Sequence, residues 1–251
     1  MRIHVVNPNT TRAMTDKIAR AAMAVADRET TILATQPDTG PASIEGYYDA
    51  ALAVPGMLQR IADAEAQAVD AHIIACFDDT GLDAARALAA APVIGIGEAG
   101  FHVASLICER FAVVTTVEAS VPAIEKNLVR YGLASRCACV RATGLAVLSL
   151  QDVNSQAHER IVAEIESVKR NEQAEAIVLG CAGMAGLAAA LSKQCGLPVI
   201  DGVAAAVTLA QALVRLGLKT SKLGGYMSPL PKAMAVPPRK LASRAGVPRE
   251  P

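Results

Sequence analysis

The chain has 251 residues, of which 52% are hydrophobic and 3% aromatic, and its 24 basic and 24 acidic side chains give a formal net charge of zero. This length allows one large α/β domain or two halves, and the lack of surplus positive charge excludes nucleic acid as an expected partner. Six cysteines without a secretory signal predict reduced thiols in a cytoplasmic protein, and polar residues interrupt the apolar region 197–218, so no membrane span is predicted.

Short β-branched runs alternate along the chain with longer helical segments, which is the pattern of parallel βα units. The predicted strands lie near 2–6, 30–35, 71–76, 92–96, 111–115, 136–142, 175–180 and 197–200. The predicted helices lie near 11–26, 47–66, 81–90, 98–109, 119–131, 152–171, 184–194 and 202–216. Short polar residues stand at predicted helix N-caps, namely Thr10, Thr11, Asp152, Asn154 and Asp201.

The order of these elements predicts a division of the chain into two α/β halves and a tail. Residues 1–96 together with 205–226 are expected to form the first half, and residues 97–204 the second. From residue 227 onward prolines lie among basic residues, which predicts a loosely packed or disordered tail over 227–251. The loop 36–46 is rich in turn formers and long for a βα connection, so it is a candidate cover for an active site.

The two halves repeat one motif, a β-branched apolar run that ends in a cysteine. The runs are 71–76 and 175–181, and each is followed by a Gly-Leu pair, an Ala-rich stretch and Pro-Val-Ile. Ligands of parallel sheets bind at the carboxyl ends of the strands, so Cys76 and Cys181 are expected to face one cleft between the halves. Two thiols placed in this way can take a proton from one face of a carbon and return it to the other.

Small residues surround the second of these thiols. Cys181 opens a turn between Gly180 and the pair Ala182 and Gly183, where a substrate can approach the backbone. The N–H groups at the start of the following helix favour a thiolate at this position. Cys181 is therefore the thiol that we expect to ionise more readily.

Acidic residues follow the first thiol. Cys76 precedes Asp78 and Asp79, and adjacent carboxylates oppose formation of the thiolate. Asp79 or Thr80 is interpreted as the N-cap of the next helix. For Asp78 two interpretations stay open, helix capping and orientation of Cys76.

Other motifs carry weaker signals. Residues 95–100 match the dinucleotide pattern G-x-G-x-x-G, but the next strand ends without the acidic residue that would hold a ribose, so the glycines are expected to start a helix. No Cys or His spacing of a zinc site is present. The remaining thiols are predicted to be structural: Cys108, Cys137, Cys139 and Cys195.

Polar residues follow the first predicted strand of each half. Asn9 in the first half and Thr115 and Thr116 in the second stand where short side chains contact a bound substrate. Helix capping is an adequate explanation for Thr11 but less so for Asn9. We therefore expect ligand contacts from Asn9 and Thr116.

Taken together, these segments resemble the aspartate/glutamate racemase superfamily, in its branch of hydantoin racemases. The resemblance covers roughly residues 2–231. Its carriers are Val6-Asn7-Pro8-Asn9-Thr10-Thr11, Ser43-Ile44-Glu45-Gly46, Cys76-Phe77-Asp78-Asp79-Thr80-Gly81-Leu82-Asp83, Val113-Val114-Thr115-Thr116, Val178-Leu179-Gly180-Cys181-Ala182-Gly183-Met184 and Pro198-Val199-Ile200-Asp201-Gly202-Val203.

The resemblance implies two pseudo-symmetric α/β halves, a site in the cleft between them, and racemisation by Cys76 and Cys181 without metal or cofactor. It implies a cyclic ureide substrate, a 5-monosubstituted hydantoin, and a homo-oligomeric assembly. From resemblance and position, the expected substrate contacts are Asn9, Ser43, Ile44, Asp78, Thr115, Thr116, Gly180, Ala182 and Gly183.

Several alternatives remain on the same scaffold. Amino-acid racemases of the superfamily carry Cys-Asn-Thr and Cys-Thr, where this chain has Cys-Phe-Asp and Cys-Ala-Gly, so free aspartate or glutamate is disfavoured. Allantoin racemases share the framework and are the closest competitor. Arylmalonate decarboxylation needs one cysteine rather than two, and a maleate isomerase must bind two carboxylates beside Asp78 and Asp79. A non-catalytic binding protein would have no reason to place thiols at both strand ends.

Overall fold

The computed structural model of the chain describes residues 1–151, 156–230 and 232. Within these residues the predicted alternation of strands and helices is confirmed. The strands are β1 (Arg2–Val6), β2 (Thr31–Thr35), β3 (Ala71–Ile74), β4 (Val93–Gly95), β5 (Phe111–Thr115), β6 (Cys137–Ala142), β7 (Ala176–Leu179) and β8 (Val199–Asp201). The α-helices are α1 (Arg12–Val25), α2 (Tyr47–Glu65), α3 (Leu82–Leu88), α4 (Ile96–Ser105), α5 (Val121–Arg130), α6 (Ala157–Asn171), α7 (Ala188–Cys195) and α8 (Gly202–Arg215).

The strands form two parallel sheets with the same internal order. The first runs β2-β1-β3-β4 and the second β6-β5-β7-β8. Val6 on β1 pairs with Ile74 on β3, and Val114 on β5 pairs with Leu179 on β7. The carboxyl ends of the central strands therefore coincide in each sheet, and the predicted pair of pseudo-symmetric α/β halves is confirmed.

The two sheets share one hydrophobic core. A continuous cluster of buried side chains joins Ile73 of the first sheet to Val178 of the second. Helices α4 and α8 pack against each other between the sheets, and Gly100 permits the contact of α4 with β7, because a Cβ at that position would lie 2.8 Å from Cγ1 of Val178. Burial of apolar surface at roughly 25 cal/mol per Å² thus stabilises the relative position of the halves.

The structure corrects three details of the predicted elements. Strands β3 and β7 end two residues before Cys76 and Cys181, so both thiols stand on loops. The helix predicted over 184–194 begins only at Ala188, because Gly186 adopts φ 82° and interrupts it. Helix α4 begins directly after β4, at Ile96, rather than at residue 98.

The predicted N-caps have different outcomes. Asp201 caps α8 as predicted, with its carboxylate accepting from the Val203 N–H at 2.8 Å. Thr11 stands at the N-cap of α1, but its side chain makes no capping hydrogen bond. Asp152 and Asn154 lie outside the described residues, as does the predicted tail apart from residues 227–230 and 232. Among the described helices, none combines the length and apolar character needed to cross a membrane.

A buried chain of polar side chains crosses the first sheet. His72 Nε2 lies 2.9 Å from the Glu65 carboxylate, His4 Nδ1 lies 2.9 Å from His72 Nδ1, and His4 Nε2 lies 2.7 Å from the Thr35 hydroxyl. An ionised Glu65 can only accept, so His72 donates to it and accepts from His4. Both rings are therefore neutral. Burial, reinforced by His72, lowers the pKa of His4 from 6.5 to about 3.

The buried hydrogen bonds of His4 and His72 predict that the protein loses stability in mild acid. The unfolded state binds protons at His4 and His72 below pH 6.5, whereas the folded state resists protonation of His4 down to about pH 3. Each such histidine should lower the free energy of unfolding by about 1.4 kcal/mol per pH unit below its unfolded-state pKa. Urea unfolding followed by circular dichroism at neutral pH and near pH 5.5 measures this slope.

The matched variants are His4→Gln, which cannot be protonated, and His102→Gln at an exposed position. The first should have a shallower pH dependence than the original chain, and the second should keep the original slope. Equal slopes for all three proteins would contradict the role assigned to His4.

Candidate active site

The two repeat-equivalent thiols lie in one pocket between the halves. The pocket is narrow and partly open to solvent, and the empty space in and around its mouth amounts to about 380 Å³. It is lined by Asn7, Pro8, Asn9, Met14, Ile44, Ala75, Cys76, Phe77, Asp78, Thr116, Ser120, Val147, Gly180, Cys181 and Ala182. Loops that follow β1 and β3 in one sheet thus meet loops that follow β5 and β7 in the other, as expected for the carboxyl ends of parallel strands.

The loop 36–46 closes one side of this pocket. The Thr10 and Thr11 hydroxyls donate to the carbonyls of Pro41 and Ala42, at 3.3 and 2.6 Å. The Glu45 carboxylate reaches the second half and accepts from the Val147 N–H at 2.8 Å. The threonine side chains predicted as helix caps therefore hold the cover of the pocket instead.

The first thiol is held in its protonated form. Burial, reinforced by the Asp78 carboxylate, raises the pKa of Cys76 far above its ordinary value. The Thr80 hydroxyl donates to Cys76 Sγ at 3.4 Å and acts in the opposite direction, but it does not offset burial. Thr80, interpreted from the sequence as a possible N-cap, contacts the thiol instead.

The second thiol has more groups that favour its thiolate. Burial raises the pKa of Cys181 to about 11, while the Gly183 N–H, the Thr116 hydroxyl and the Lys17 ammonium lower it. The Gly183 N–H donates to Cys181 Sγ at 3.4 Å. The two thiols therefore rank in the order expected from their neighbours in the sequence, with Cys181 the more readily ionised.

Lys17 is a functional candidate that the sequence alone did not indicate. It lies on α1 of the first half, and its ammonium group donates to the carbonyl of Gly183 and, at 3.4 Å, to that of Leu150. Burial lowers the pKa of Lys17, and the nearby Cys181 opposes that shift. The sequence does not indicate a role for Lys17, because this residue is far from both thiols along the chain and only folding brings it close to Cys181.

Asp79 does not cap the helix that follows it. Its backbone has φ 49°, an uncommon conformation for a residue with a side chain, and Gly81 stands at the N-cap of α3. The buried Asp79 carboxylate instead accepts from the N–H groups of Gly97 and Glu98, at 2.9 and 2.8 Å, and from the Tyr131 hydroxyl at 2.8 Å. Asp79 thus caps α4, which is distant in sequence.

This contact explains the glycine pattern at residues 95–100. A Cβ at Gly95 would collide with the Asp79 carboxylate, and a Cβ at Gly97 would collide with the carbonyl of Phe77. The glycines therefore admit a loop of the same chain at the start of α4. They begin a helix, as expected.

The predicted substrate contacts are only partly brought together. Asn9, Ile44, Asp78, Thr116, Gly180 and Ala182 line the pocket, whereas Ser43, Thr115 and Gly183 are not among the described lining residues. The buried Thr115 hydroxyl donates to the Gly180 carbonyl at 2.8 Å and supports the thiol loop from behind.

Asn9 lies beside the start of α1 and lines the pocket, and its contact with a ligand stays a prediction. Its side-chain oxygen accepts from the Thr11 N–H at 2.9 Å, which holds the turn before α1. Its amide nitrogen donates to Met14 Sδ at 3.2 Å and lines the pocket. Asn7, which also lines the pocket, donates to this side chain at 2.9 Å and holds it in place.

The four remaining thiols lie elsewhere, as predicted. Cys195 is buried in the core of the second half, and Cys137 and Cys139 lie on the edge strand β6. Cys108 follows α4 and is half-buried. Within residues 1–151, 156–230 and 232, no group of three or more His, Cys, Asp or Glu side chains is arranged to hold a metal ion.

Comparison with known proteins identifies close relatives over almost the whole chain. The sequence model of the family described as "Asp/Glu/Hydantoin racemase" matches residues 3–210. A hydantoin racemase from Rhizobium meliloti is 49% identical over 94% of this chain and 98% of its own length. The solved allantoin racemase from Klebsiella pneumoniae superposes with a TM-score of 0.92 at 45% identity, covering 94% of this chain and 96% of that one. The solved allantoin racemase from Pseudomonas fluorescens superposes with a TM-score of 0.90 at 44% identity, covering 94% of this chain and 100% of that one.

The geometry predicts that iodoacetamide alkylates Cys181 faster than Cys76, because the thiolate is the form that reacts. Both thiols line one pocket, so they share one route of access. Lys17→Met should slow the alkylation of Cys181 several-fold at a fixed pH, since it removes the adjacent positive charge. Lys17→Arg should retain most of the rate. Peptide mass spectrometry over a series of pH values measures each site, with Cys108 outside the pocket as the internal standard. Faster alkylation of Cys76 would contradict the ranking.

Proposed function

This chain belongs to the Asp/Glu/hydantoin racemase family and is an isomerase of the racemase class, and from that premise we propose that it racemises 5-monosubstituted hydantoins by proton transfer between Cys76 and Cys181. The observation that carries the proposal is the pair of thiols, which stand on equivalent loops of two halves and line one pocket. A planar ring between them would present one face of its stereocentre to each thiol. Proton removal on one face and delivery on the other inverts the centre.

The chemistry of the ring suits thiols. The C5 hydrogen of a hydantoin lies next to the C4 carbonyl, so its removal gives an enolate delocalised into the ring. In the direction that begins with Cys181, the thiolate takes the C5 proton and the Cys76 thiol gives its own proton to the opposite face. The products are the other enantiomer, a Cys181 thiol and a Cys76 thiolate. For the other enantiomer the Cys76 thiolate takes the C5 proton and the Cys181 thiol protonates the opposite face.

Donors in the pocket can stabilise the developing negative charge on the C4 oxygen. Asn9 and Ser120 line the pocket and are nearly buried, as is Thr116, whose hydroxyl hydrogen bonds to Cys181. Donors that are fixed before the reaction stabilise such charge more strongly in a site of low dielectric than in water. We also propose that Ser43 and the backbone near Ile44, in the loop 36–46, contact the side of the substrate that faces this loop.

The charge of the pocket supports a neutral ring over an amino acid. Apart from the two thiols, the one ionisable side chain among its described lining residues is Asp78. Lys17 directs its ammonium group to the carbonyls of Gly183 and Leu150. A substrate carboxylate would therefore meet a like charge without a matched cation, which disfavours aspartate, glutamate and maleate.

Allantoin is the second candidate substrate, because it carries the same ring with a ureido group on C5. The apolar side chains of Met14, Ile44 and Val147 favour an aliphatic or aromatic group at this position. The amides of Asn7 and Asn9 offer partners to a ureido group. Relatives of both kinds are about equally similar to this chain, so the apolar wall is the observation that favours hydantoins.

The proposal also covers the location, assembly, cofactor requirement and domain division of the protein. We propose a cytoplasmic protein that works as a homo-oligomer and needs no metal or cofactor. We also propose the division into residues 1–96 with 205–226 and residues 97–204, which agrees with the membership of β1–β4 and β5–β8 in separate sheets. Helix α8, which starts at Gly202, packs on both β3 and β8 and so connects the two halves.

A panel of substrates tests the proposed specificity. In buffer with a metal chelator and no added cofactor, we expect the protein to racemise benzyl- and isobutylhydantoin faster than allantoin, and aspartate and glutamate not at all. Polarimetry or chiral chromatography measures the initial rates. A higher kcat/KM for allantoin would establish the second candidate, and activity lost to the chelator and restored by a divalent metal would contradict the cofactor-free mechanism.

Single replacements of the thiols test the two-base mechanism. Cys76→Ser and Cys181→Ser should each abolish racemisation, because a serine hydroxyl is too weakly acidic to replace either group. In deuterated water each variant should still exchange the C5 hydrogen of one enantiomer with retention, and the two variants should act on opposite enantiomers. Nuclear magnetic resonance and chiral chromatography follow exchange and inversion together. Cys108→Ser, outside the pocket, is the control. Full racemase activity in either active-site variant would disprove the mechanism.

A further inference from the structure

The carboxylate of Asp78 stands in the pocket without a protein partner. Within the described residues, no donor lies at hydrogen-bond distance from its side chain, although its backbone carbonyl accepts from the Asn127 amide at 2.8 Å. Burial raises the pKa of Asp78 to about 6, so the group is ionised at neutral pH. Asp78 is partly exposed and lines the pocket, so its carboxylate is free to accept a hydrogen bond from a ligand bound there.

The neighbouring carboxylate makes the contrast clear. Asp79 is buried by the same loop, and it receives three hydrogen bonds from Gly97, Glu98 and Tyr131. Asp79 therefore has a structural role, because these hydrogen bonds hold the loop against α4 and Tyr131. Asp78 caps no helix, so the capping interpretation left open by the sequence is not supported by its contacts.

The position of Asp78 relative to the thiols limits which ligand atom it meets. Asp78 lines the same pocket as Cys76 and Cys181, so its carboxylate is close to the carbon that the two thiols would flank. In a hydantoin the two ring neighbours of C5 are C4, whose carbonyl oxygen a carboxylate repels, and N1, whose N–H a carboxylate attracts. The N1–H is therefore the matching donor.

We propose that Asp78 is a specificity-determining residue that accepts a hydrogen bond from the N1–H of the ureide ring, an inference that rests on the proposed function. The contact fixes the ring so that the C4 carbonyl faces Asn9, Thr116 and Ser120, while C5 lies between the thiols. The same N1–H is present in hydantoins and in allantoin, so Asp78 selects for the ring rather than for the C5 substituent.

The test replaces the donor in the substrate and the acceptor in the protein. In 5-benzyl-3-methyl-oxazolidine-2,4-dione a ring oxygen replaces the N1–H of 5-benzyl-3-methylhydantoin, while the C5 hydrogen and the C4 carbonyl remain, and the methyl group on N3 keeps both rings neutral. We expect the original chain to prefer 5-benzyl-3-methylhydantoin in kcat/KM by on the order of tenfold to a hundredfold, after correction for the uncatalysed exchange rates of the two rings in deuterated water. In Asp78→Ala this corrected preference should fall close to one.

The preference ratio separates recognition from positioning of Cys76. If Asp78 acted only by holding Cys76 protonated, Asp78→Ala would slow both rings by the same factor and leave the ratio unchanged, which would overturn the proposal. Asp78→Asn, whose amide oxygen still accepts, should retain part of the preference. 5-Benzylhydantoin without the methyl group on N3 serves as the substrate control, and its rate relative to 5-benzyl-3-methylhydantoin should be equal in the original chain and in Asp78→Ala.

A binding measurement keeps the proposal testable if Asp78→Ala is too unstable to assay. 3,5,5-Trimethylhydantoin and 3,5,5-trimethyloxazolidine-2,4-dione have no C5 hydrogen and can only inhibit, and both are neutral because N3 is methylated. The original chain should bind the hydantoin more tightly by a factor similar to the kinetic preference, and Asp78→Asn should reduce that factor. Equal inhibition by the two rings would overturn the inference while hydantoin racemisation stands. If the original chain racemises no hydantoin and no allantoin, the proposed function fails and the inference with it.

Discussion

The contact between the Asp79 carboxylate and the start of helix α4 is the interaction on which the rest of the site depends. Asp79 is held at φ 49° and is buried, with donors from Gly97, Glu98 and Tyr131. A backbone conformation that is uncommon for this residue type persists because several hydrogen bonds stabilise it together. The contact fixes the loop that carries Cys76 and Asp78. Since Tyr131 ends α5, it also ties that loop to the second half.

The functional asymmetry of the molecule arises from loops on a symmetric scaffold. Both sheets have the same strand order, and both thiols follow the equivalent central strand. The Asp78 carboxylate raises the pKa of both thiols, but at Cys181 an N–H group, a hydroxyl and an ammonium group oppose it, and it acts more strongly on Cys76. In a buried site of low dielectric these differences act strongly on ionisation. In the proposed mechanism these differences suit Cys76 to start as the acid and Cys181 as the base, although the two thiols occupy equivalent positions in the scaffold.

The structure also explains why some residues in the conspicuous motifs have roles other than those expected. The glycines of 95–100 look like a phosphate-binding loop, but they make room for Asp79 and for the Phe77 carbonyl. Thr11 looks like a helix cap, but its hydroxyl holds the cover of the pocket through Ala42. In each case the local pattern is compatible with two partners, and a residue distant in sequence determines which one is present. Such partners are not visible in a single sequence.

Periodicity and internal repetition alone were sufficient to predict the α/β fold, the parallel strands and the convergence of Cys76 and Cys181, because strand direction places equivalent residues at the same edge of each sheet. The sequence also indicated which thiol ionises more readily, since the deciding neighbours of each lie within a few positions of it. Only the tertiary structure decided that Lys17 reaches the Cys181 loop, that Ser120 and Val147 line the pocket, and that the Asp78 carboxylate accepts no hydrogen bond from the part of the chain that the structure describes. These facts depend on contacts between the halves, where side-chain packing rather than local propensity determines which groups meet.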